Sequence, residues 1–175
     1  EGAKVVFDYS GPNEDCAEFF SAFNITGSVI LENADIEVSN CRYCVHEDLP
    51  SVVDTLPDQY TVKYIDCIME HKGNTIGSYT GTLCIGGGTN KNSLSVVDGG
   101  RYTCSNQYPH AISYHNYYGS FTSRLIFKNV WVNNDIRLAN FGTNPVDVTI
   151  SGCRFPNTYT PGSYFTVKEW GTVKV

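Results

Sequence analysis

Apolar and polar residues alternate along Val148-Thr149-Ile150. The chain then turns at the small pair Ser151-Gly152, and an apolar Cys153 restarts it before Arg154-Phe155. The same shape occurs as Ile36-Glu37-Val38-Ser39-Asn40-Cys41-Arg42-Tyr43, as Val62-Lys63-Tyr64-Ile65-Asp66-Cys67, as Leu94-Ser95-Val96-Val97-Asp98-Gly99 and as Leu125-Ile126-Phe127-Lys128-Asn129-Val130. In chain order the first residues of these copies are 26, 32, 31 and 23 positions apart. An imperfect repeat of this length marks a stacked or wound architecture. Strand alternation puts Ile36, Val38 and Asn40 on one face, and likewise Leu125, Phe127 and Asn129. Each face ends on Asn, Asp or Gly, which tolerate the left-handed backbone of a sharp corner. Repeated once per coil, the corner is expected to align Asn40, Asp66, Asp98 and Asn129 in one column. Stacked side chains there would bond to one another and to corner backbone.

Other stretches fill in the coils. Val5-Val6-Phe7, Val29-Ile30-Leu31, Thr82-Leu83-Cys84-Ile85, His110 to His115, Trp131-Val132, Ile136 to Ala139 and Phe165 to Lys168 read as strands. Residues 46 to 61, with Pro50 and Pro57, read as a loop, as do Gly73 to Thr80 and Gly86-Gly87-Gly88-Thr89-Asn90. One helix is expected. Asn13 is placed to cap it, Glu14-Asp15 suit its first turn, and Cys16, Phe19, Phe20 and Phe23 fall at helical spacing. The division expected is an N-terminal strand and capping helix over 1–27 and coils over 28–175, together one domain.

Composition supports strands. Charged residues are only 17% while Gly (16), Tyr (12) and Phe (9) are plentiful, so the chain lacks the material of surface helices. The net charge of −6 without a Lys/Arg cluster argues against nucleic acid and anionic membrane surfaces as partners. No run of about 18 apolar residues suggests insertion into a membrane. The chain opens on Glu1-Gly2, without Met or a signal peptide, and is expected to be one domain of a longer protein. It has seven Cys, three of them at the repeat position (Cys41, Cys67 and Cys153), which favours buried thiols and folding in a reducing cytosol. A disulfide framework is the alternative.

Val38-Ser39-Asn40-Cys41-Arg42-Tyr43, Phe127-Lys128-Asn129-Val130 and Ile150-Ser151-Gly152-Cys153-Arg154-Phe155 resemble segments of the right-handed parallel β-helix proteins. This is the pectate-lyase-like superfamily, which includes many phage tailspikes. His110-Ala111-Ile112-Ser113-Tyr114-His115-Asn116 is similar to a segment of the same kind, and the likeness covers roughly residues 28 to 170. The resemblance implies an all-β fold, a single-stranded right-handed parallel β-helix, here with its short N-terminal capping helix. It also implies homotrimers, since parallel helices bury a lateral stripe against each other. An antiparallel sandwich is the competing architecture, although no tight Asn-Gly or Asp-Gly hairpin links neighbouring strands.

The resemblance includes glycosidases and lyases. Asp66 and Asp98 share a repeat position, so stacking is expected to bring two carboxylates together as a glycosidase requires; the alternative is that both stand in for corner Asn. Arg101, Arg137 and Arg154 are available for lyase chemistry, but no acidic cluster with calcium-loop spacing accompanies them. Arg42 and Arg154 share a repeat position and read as outward structural residues. Cys41-Arg42-Tyr43-Cys44-Val45-His46 holds a CxxC and a His, but no second pair completes a zinc site, and no metal or cofactor is expected. His110, Ser113 and His115 lack a nucleophile elbow. The glycine run has no phosphate-loop Lys.

The most suggestive cluster is Tyr108, Tyr114, His115, Asn116, Tyr117 and Tyr118, with Trp131 and Asn133-Asn134 one coil on. Aromatic faces beside amide and imidazole donors suit sugar rings, whereas subunit contacts and core packing use the same residues. The reading is a glycan-binding adhesion domain of a tailspike, tail fibre or related surface protein. Its expected partner is a cell-surface polysaccharide, and its place a virion or the cell exterior. A polysaccharide lyase or glycoside hydrolase and a structural or trimerisation module are the alternatives.

Overall fold

The computed structural model describes residues 3–9, 21–47, 59–72, 81–86, 92–105, 110–116, 123–134, 136–140, 146–155 and 172–174. All the strands in them pair in parallel, which rules out an antiparallel sandwich. The first coil holds β1 (Lys4–Asp8), β2 (Ser21–Ile25) and β3 (Val29–Glu32); the second holds β4 (Asp35–Ser39), β5 (Tyr43–Glu47) and β6 (Gln59–Ile65). The third holds β7 (Ile68–Lys72), β8 (Leu83–Gly86) and β9 (Asn92–Asp98), and the fourth β10 (Arg101–Cys104), β11 (Ile112–Asn116) and β12 (Ser123–Lys128). The fifth holds β13 (Trp131–Val132), β14 (Ile136–Asn140) and β15 (Val146–Ser151), and β16 (Thr172–Lys174) follows.

Strand order is β1-β4-β7-β10-β13 in the first sheet, β2-β5-β8-β11-β14 in the second and β3-β6-β9-β12-β15-β16 in the third. Each turn of chain thus lays one strand on each of three sheets, an arrangement consistent with a parallel β-helix. Lys4, Asp35, Ile68, Arg101, Trp131 and Arg154 are successive partners on the first sheet, so the coils advance by 31, 33, 33, 30 and 23 residues.

The sequence reading needs correction in four places. No helix occurs among the described residues, and Phe23, expected to end the capping helix, lies in β2 opposite Val45. Residues 13–20 of that helix lie outside the described residues. Phe23 and Ile25 also satisfy a strand's two-residue period, and apolar spacing over so short a run does not separate the two. Second, residues 46–47 and 59–61, expected in a loop, belong to β5 and β6. Third, the copy at Ile36 lies on the first sheet, whereas the other four copies lie on the third. The first coil's strand on the third sheet, paired with Val62–Ile65, is Val29-Ile30-Leu31-Glu32, and Asn33 follows it at the corner. Two different corners use the same chemistry, for both Asn33 (φ 52°) and Asn40 (φ 55°) are left-handed. Arg42 and Arg154 therefore follow different corners. Fourth, the copy at Leu94 is one residue out of register: Val62 and Leu125 pair with Ser95.

The true column at the corner between the third and first sheets is Asn33, Asp66, Gly99, Asn129 and Gly152, all left-handed. Asp98 sits one residue before it and Asn40 at the next corner. Backbone bonds link the column from coil to coil: Asn33 N–H to Ile65 O (2.9 Å), Asp66 N–H to Asp98 O (2.9 Å), Gly99 N–H to Lys128 O (2.8 Å) and Asn129 N–H to Ser151 O (2.8 Å). Glycine follows the larger Asp66 and Asn129 for a packing reason as well. A Cβ on Gly99 would collide with the Asp66 carboxylate above which it lies. The side-chain bonds expected along a corner are seen as pairs, Asn40 Nδ2 to Asp8 Oδ1 (2.8 Å) and Asn129 Nδ2 to Asp98 Oδ1 (3.5 Å).

Inside, like positions stack into apolar columns. Ile36, Met69, Tyr102 and Val132 line the first sheet, Val45, Leu83, Ile112 and Ile136 the second, and Tyr64, Val97, Phe127 and Ile150 the third. Burying each large side chain contributes about 2 kcal/mol. The next corner residue gives a test. Gly100 has φ 86°, and an added Cβ there would strike the Cys67 carbonyl oxygen, which is backbone and cannot move aside. Gly100→Ala is expected to cost about 3 kcal/mol in urea unfolding, whereas Asn33→Gly changes stability by less than about 0.5 kcal/mol.

Candidate functional site

Strand alternation turns Lys4, Asp35, Ile68, Arg101 and Trp131 outward, opposite the core-lining Ile36, Met69, Tyr102 and Val132. Arg154 is exposed and level with Trp131 through a parallel bridge. The Arg101 guanidinium carbon stands 5.0 Å from the centre of the Trp131 ring, a cation–π contact on an open surface. The indole remains 36% exposed and Ile68 48%. Trp131 lies in the short strand β13. After two residues the Asn133 side chain takes over the strand's role, accepting from Cys104 N–H and donating to Cys104 O, each at 2.8 Å.

The same face has matched charges nearer its other end. Glu37 accepts from Lys4 at 2.6 Å and Lys72 at 2.9 Å, and Lys72 lies 3.5 Å from Glu70. Hydrogen bonds from Lys4 and then Lys72 hold the Glu37 carboxyl below its usual range, and the bond to Glu37 raises both amines. Among the described residues neither Arg101 nor Arg154 is in a salt bridge.

Among the described residues, those singled out in the sequence are not brought together in one site. Tyr114 is buried between Ile85 and Leu138 in a core column on the second sheet, while Trp131 faces out from the first. The backbone of His115 and Asn116 belongs to β11, and Tyr108, Tyr117 and Tyr118 lie outside the described residues. Asp66 and Asp98 stand at different levels of the corner, Asp66 against Gly99 and Asp98 toward Asn129. Arg137 is on the second sheet, apart from Arg101 and Arg154.

The second sheet carries a row that the sequence reading missed. His46, Cys84, Ser113 and Arg137 are successive partners, which places a thiol between an imidazole and a hydroxyl. These residues lie far apart in the chain, so only the register reveals the row. Burial pushes the Cys84 thiol up to about 12, so it stays protonated and is a poor nucleophile. Burial likewise raises the thiols of Cys41 (to about 12) and Cys44, and lowers His71. Neutral His71 donates from Nε2 to the Cys41 carbonyl (2.6 Å), leaving its buried Nδ1 without a partner. No three His, Cys, Asp or Glu among the described residues are placed to hold a metal ion.

The other residue that sequence reasoning misses is Glu47, which falls in the loop expected over residues 46 to 61. It is fully buried and spans the interior from the second sheet to the third. Tyr64 Oη donates to its Oε1 (2.9 Å) and Ser95 Oγ to its Oε2 (3.0 Å). Desolvation outweighs these bonds and lifts the carboxyl to about 7.

Comparison of the chain with protein-family models, curated proteins and solved structures returned no match. The functional reading therefore rests on this chain's own geometry and on the resemblance carried by its repeats.

Two measurements check the interior. A carboxyl raised in the folded state adds stability that is complete below the unfolded value of 4.5 and is lost as pH rises through about 7. Unfolding free energy is expected to fall by roughly 3 kcal/mol from pH 4.5 to pH 8, and Glu47→Gln to flatten that slope. Cys41, Cys44, Cys67, Cys84 and Cys104 are buried and Cys153 is half-buried, and none of these six is joined in a disulfide. Site-resolved alkylation of the native protein should label Cys153 first and the other five only on unfolding; a disulfide among these six would contradict the structure.

Proposed function

We propose that the chain is a glycan-binding adhesion domain of the tailspike or tail-fibre kind, without catalysis in this segment. Its coils would wind to the right, as parallel crossovers nearly always do. The observation that supports the reading best is the outward Trp131 indole, stacked with Arg101 on the open face of a parallel sheet. A rigid ladder holds that aromatic surface in place before a ligand arrives, so little ordering entropy is spent on binding. The candidates for covalent chemistry are poorly placed by contrast: Cys84 is a buried, protonated thiol, and the Asp66 and Asp98 carboxylates serve different levels of a corner. On this reading the protein folds in a reducing cytosol, acts on a virion or outside the cell, and meets a surface polysaccharide, as a homotrimer.

A structural or trimerisation module is the second reading. It is favoured by outward apolar residues, Val6 at 63% and Ile30 at 59% exposed. A glycan array followed by titration separates the two. Trp131→Ala is expected to weaken glycan binding by about tenfold or more while leaving the thermal midpoint unchanged. Trimers that bind no glycan on any array would favour the structural module.

A further inference from the structure

Building on the glycan reading, we infer that the column Arg101–Trp131–Arg154 selects sugars that carry a carboxylate or sulfate. The three positions are successive register partners on the outer face of the first sheet. Adjacent strands are about 4.8 Å apart, so the two arginines stand two rungs, roughly 10 Å, from each other with the indole between. This is the scale of a disaccharide.

The two lysines on the rest of the face are already matched. Lys4 and Lys72 share Glu37, and Lys72 reaches Glu70. The column's own acid, Asp35, is separated from Arg101 by the apolar Ile68. Two guanidinium groups without a carboxylate partner among the described residues therefore flank a partly exposed aromatic ring. Guanidinium groups pair with carboxylate or sulfate through two parallel hydrogen bonds, while an indole takes the C–H face of a sugar ring. An acidic sugar offers both features, whereas a neutral one leaves the arginines unused.

The protein's net charge of −6 narrows the class further. Its field opposes dense polyanions at long range, and the attraction is confined to one short column. A glycan with widely spaced charges fits better than a nucleic acid, whose phosphates repeat at every residue.

The experiment titrates the intact chain with hexasaccharides of hyaluronan (one carboxylate per disaccharide) and of singly sulfated keratan (one sulfate per disaccharide), with chitohexaose as the neutral probe and a single-stranded DNA oligonucleotide as a dense polyanion control. The acidic hexasaccharides are expected to bind about tenfold or more tighter than chitohexaose. The R101Q/R154Q double variant should erase that preference with its thermal midpoint unchanged, and W131A should weaken acidic and neutral ligands alike. Equal affinity for neutral and acidic hexasaccharides, unaltered in the double variant, overturns the charge selection but leaves the glycan reading standing. DNA binding as tight as the acidic hexasaccharides overturns the selection in favour of a generic polyanion site. Binding of no hexasaccharide at all overturns the glycan reading and this inference with it.

Discussion

Each coil is joined to the next through in-register parallel hydrogen bonds, and the register is kept at the corners. A strand's side chains alternate between faces, so a slip of one residue would turn every buried column outward. The left-handed residues Asn33, Asp66, Gly99, Asn129 and Gly152 prevent that slip. Each turns the chain at the same level, and four of them donate N–H to the neighbouring coil at 2.8–2.9 Å. With the corner fixed, Tyr64 must lie under Val97, and Val97 under Phe127. The core and the surface columns then follow from the same constraint.

That constraint also separates reactive groups by face. Inward positions hold Cys44, His71 and Glu47, where desolvation keeps sulfur protonated, imidazole neutral and the carboxyl raised to about 7. Glu47 is tolerable there because Tyr64 and Ser95 supply hydroxyls to both of its oxygens. These groups shape stability and its dependence on pH more than they offer chemistry to a ligand. Outward positions stay charged and accessible. The first sheet displays both kinds of balance, a lysine–glutamate network at one end and an arginine-flanked indole at the other.

The gaps in the sequence reading follow the same physics. The shape of a corner is local, so Val-Ser-Asn-Cys at residues 38–41 was readable as a corner, but which of the coil's corners it makes was not. Asn40 and Asn33 adopt nearly the same backbone for different turns. In Leu94-Ser95-Val96-Val97, apolar residues occupy both faces, and alternation alone does not say which face is buried. The outward Trp131 was legible as an exposed aromatic near polar residues, but its arginine neighbours were not. Arg101 and Arg154 lie 30 and 23 residues away and meet it only through the ladder. Tyr114, equally aromatic, sits at an inward register position and belongs to the core.

The sequence by itself determined the all-β class, the repeated coil and the residue types able to turn its corners, because these depend on side-chain period and on backbone freedom at single positions. Tertiary structure alone decided which residues share a column: Asp66 with Gly99 rather than Asp98, Glu47 with Tyr64 and Ser95, Arg101 with Trp131 and Arg154. Coils of 23 to 33 residues differ in length, so no fixed spacing in the chain encodes these meetings. They exist only once the hydrogen-bond ladder has set one coil upon the next.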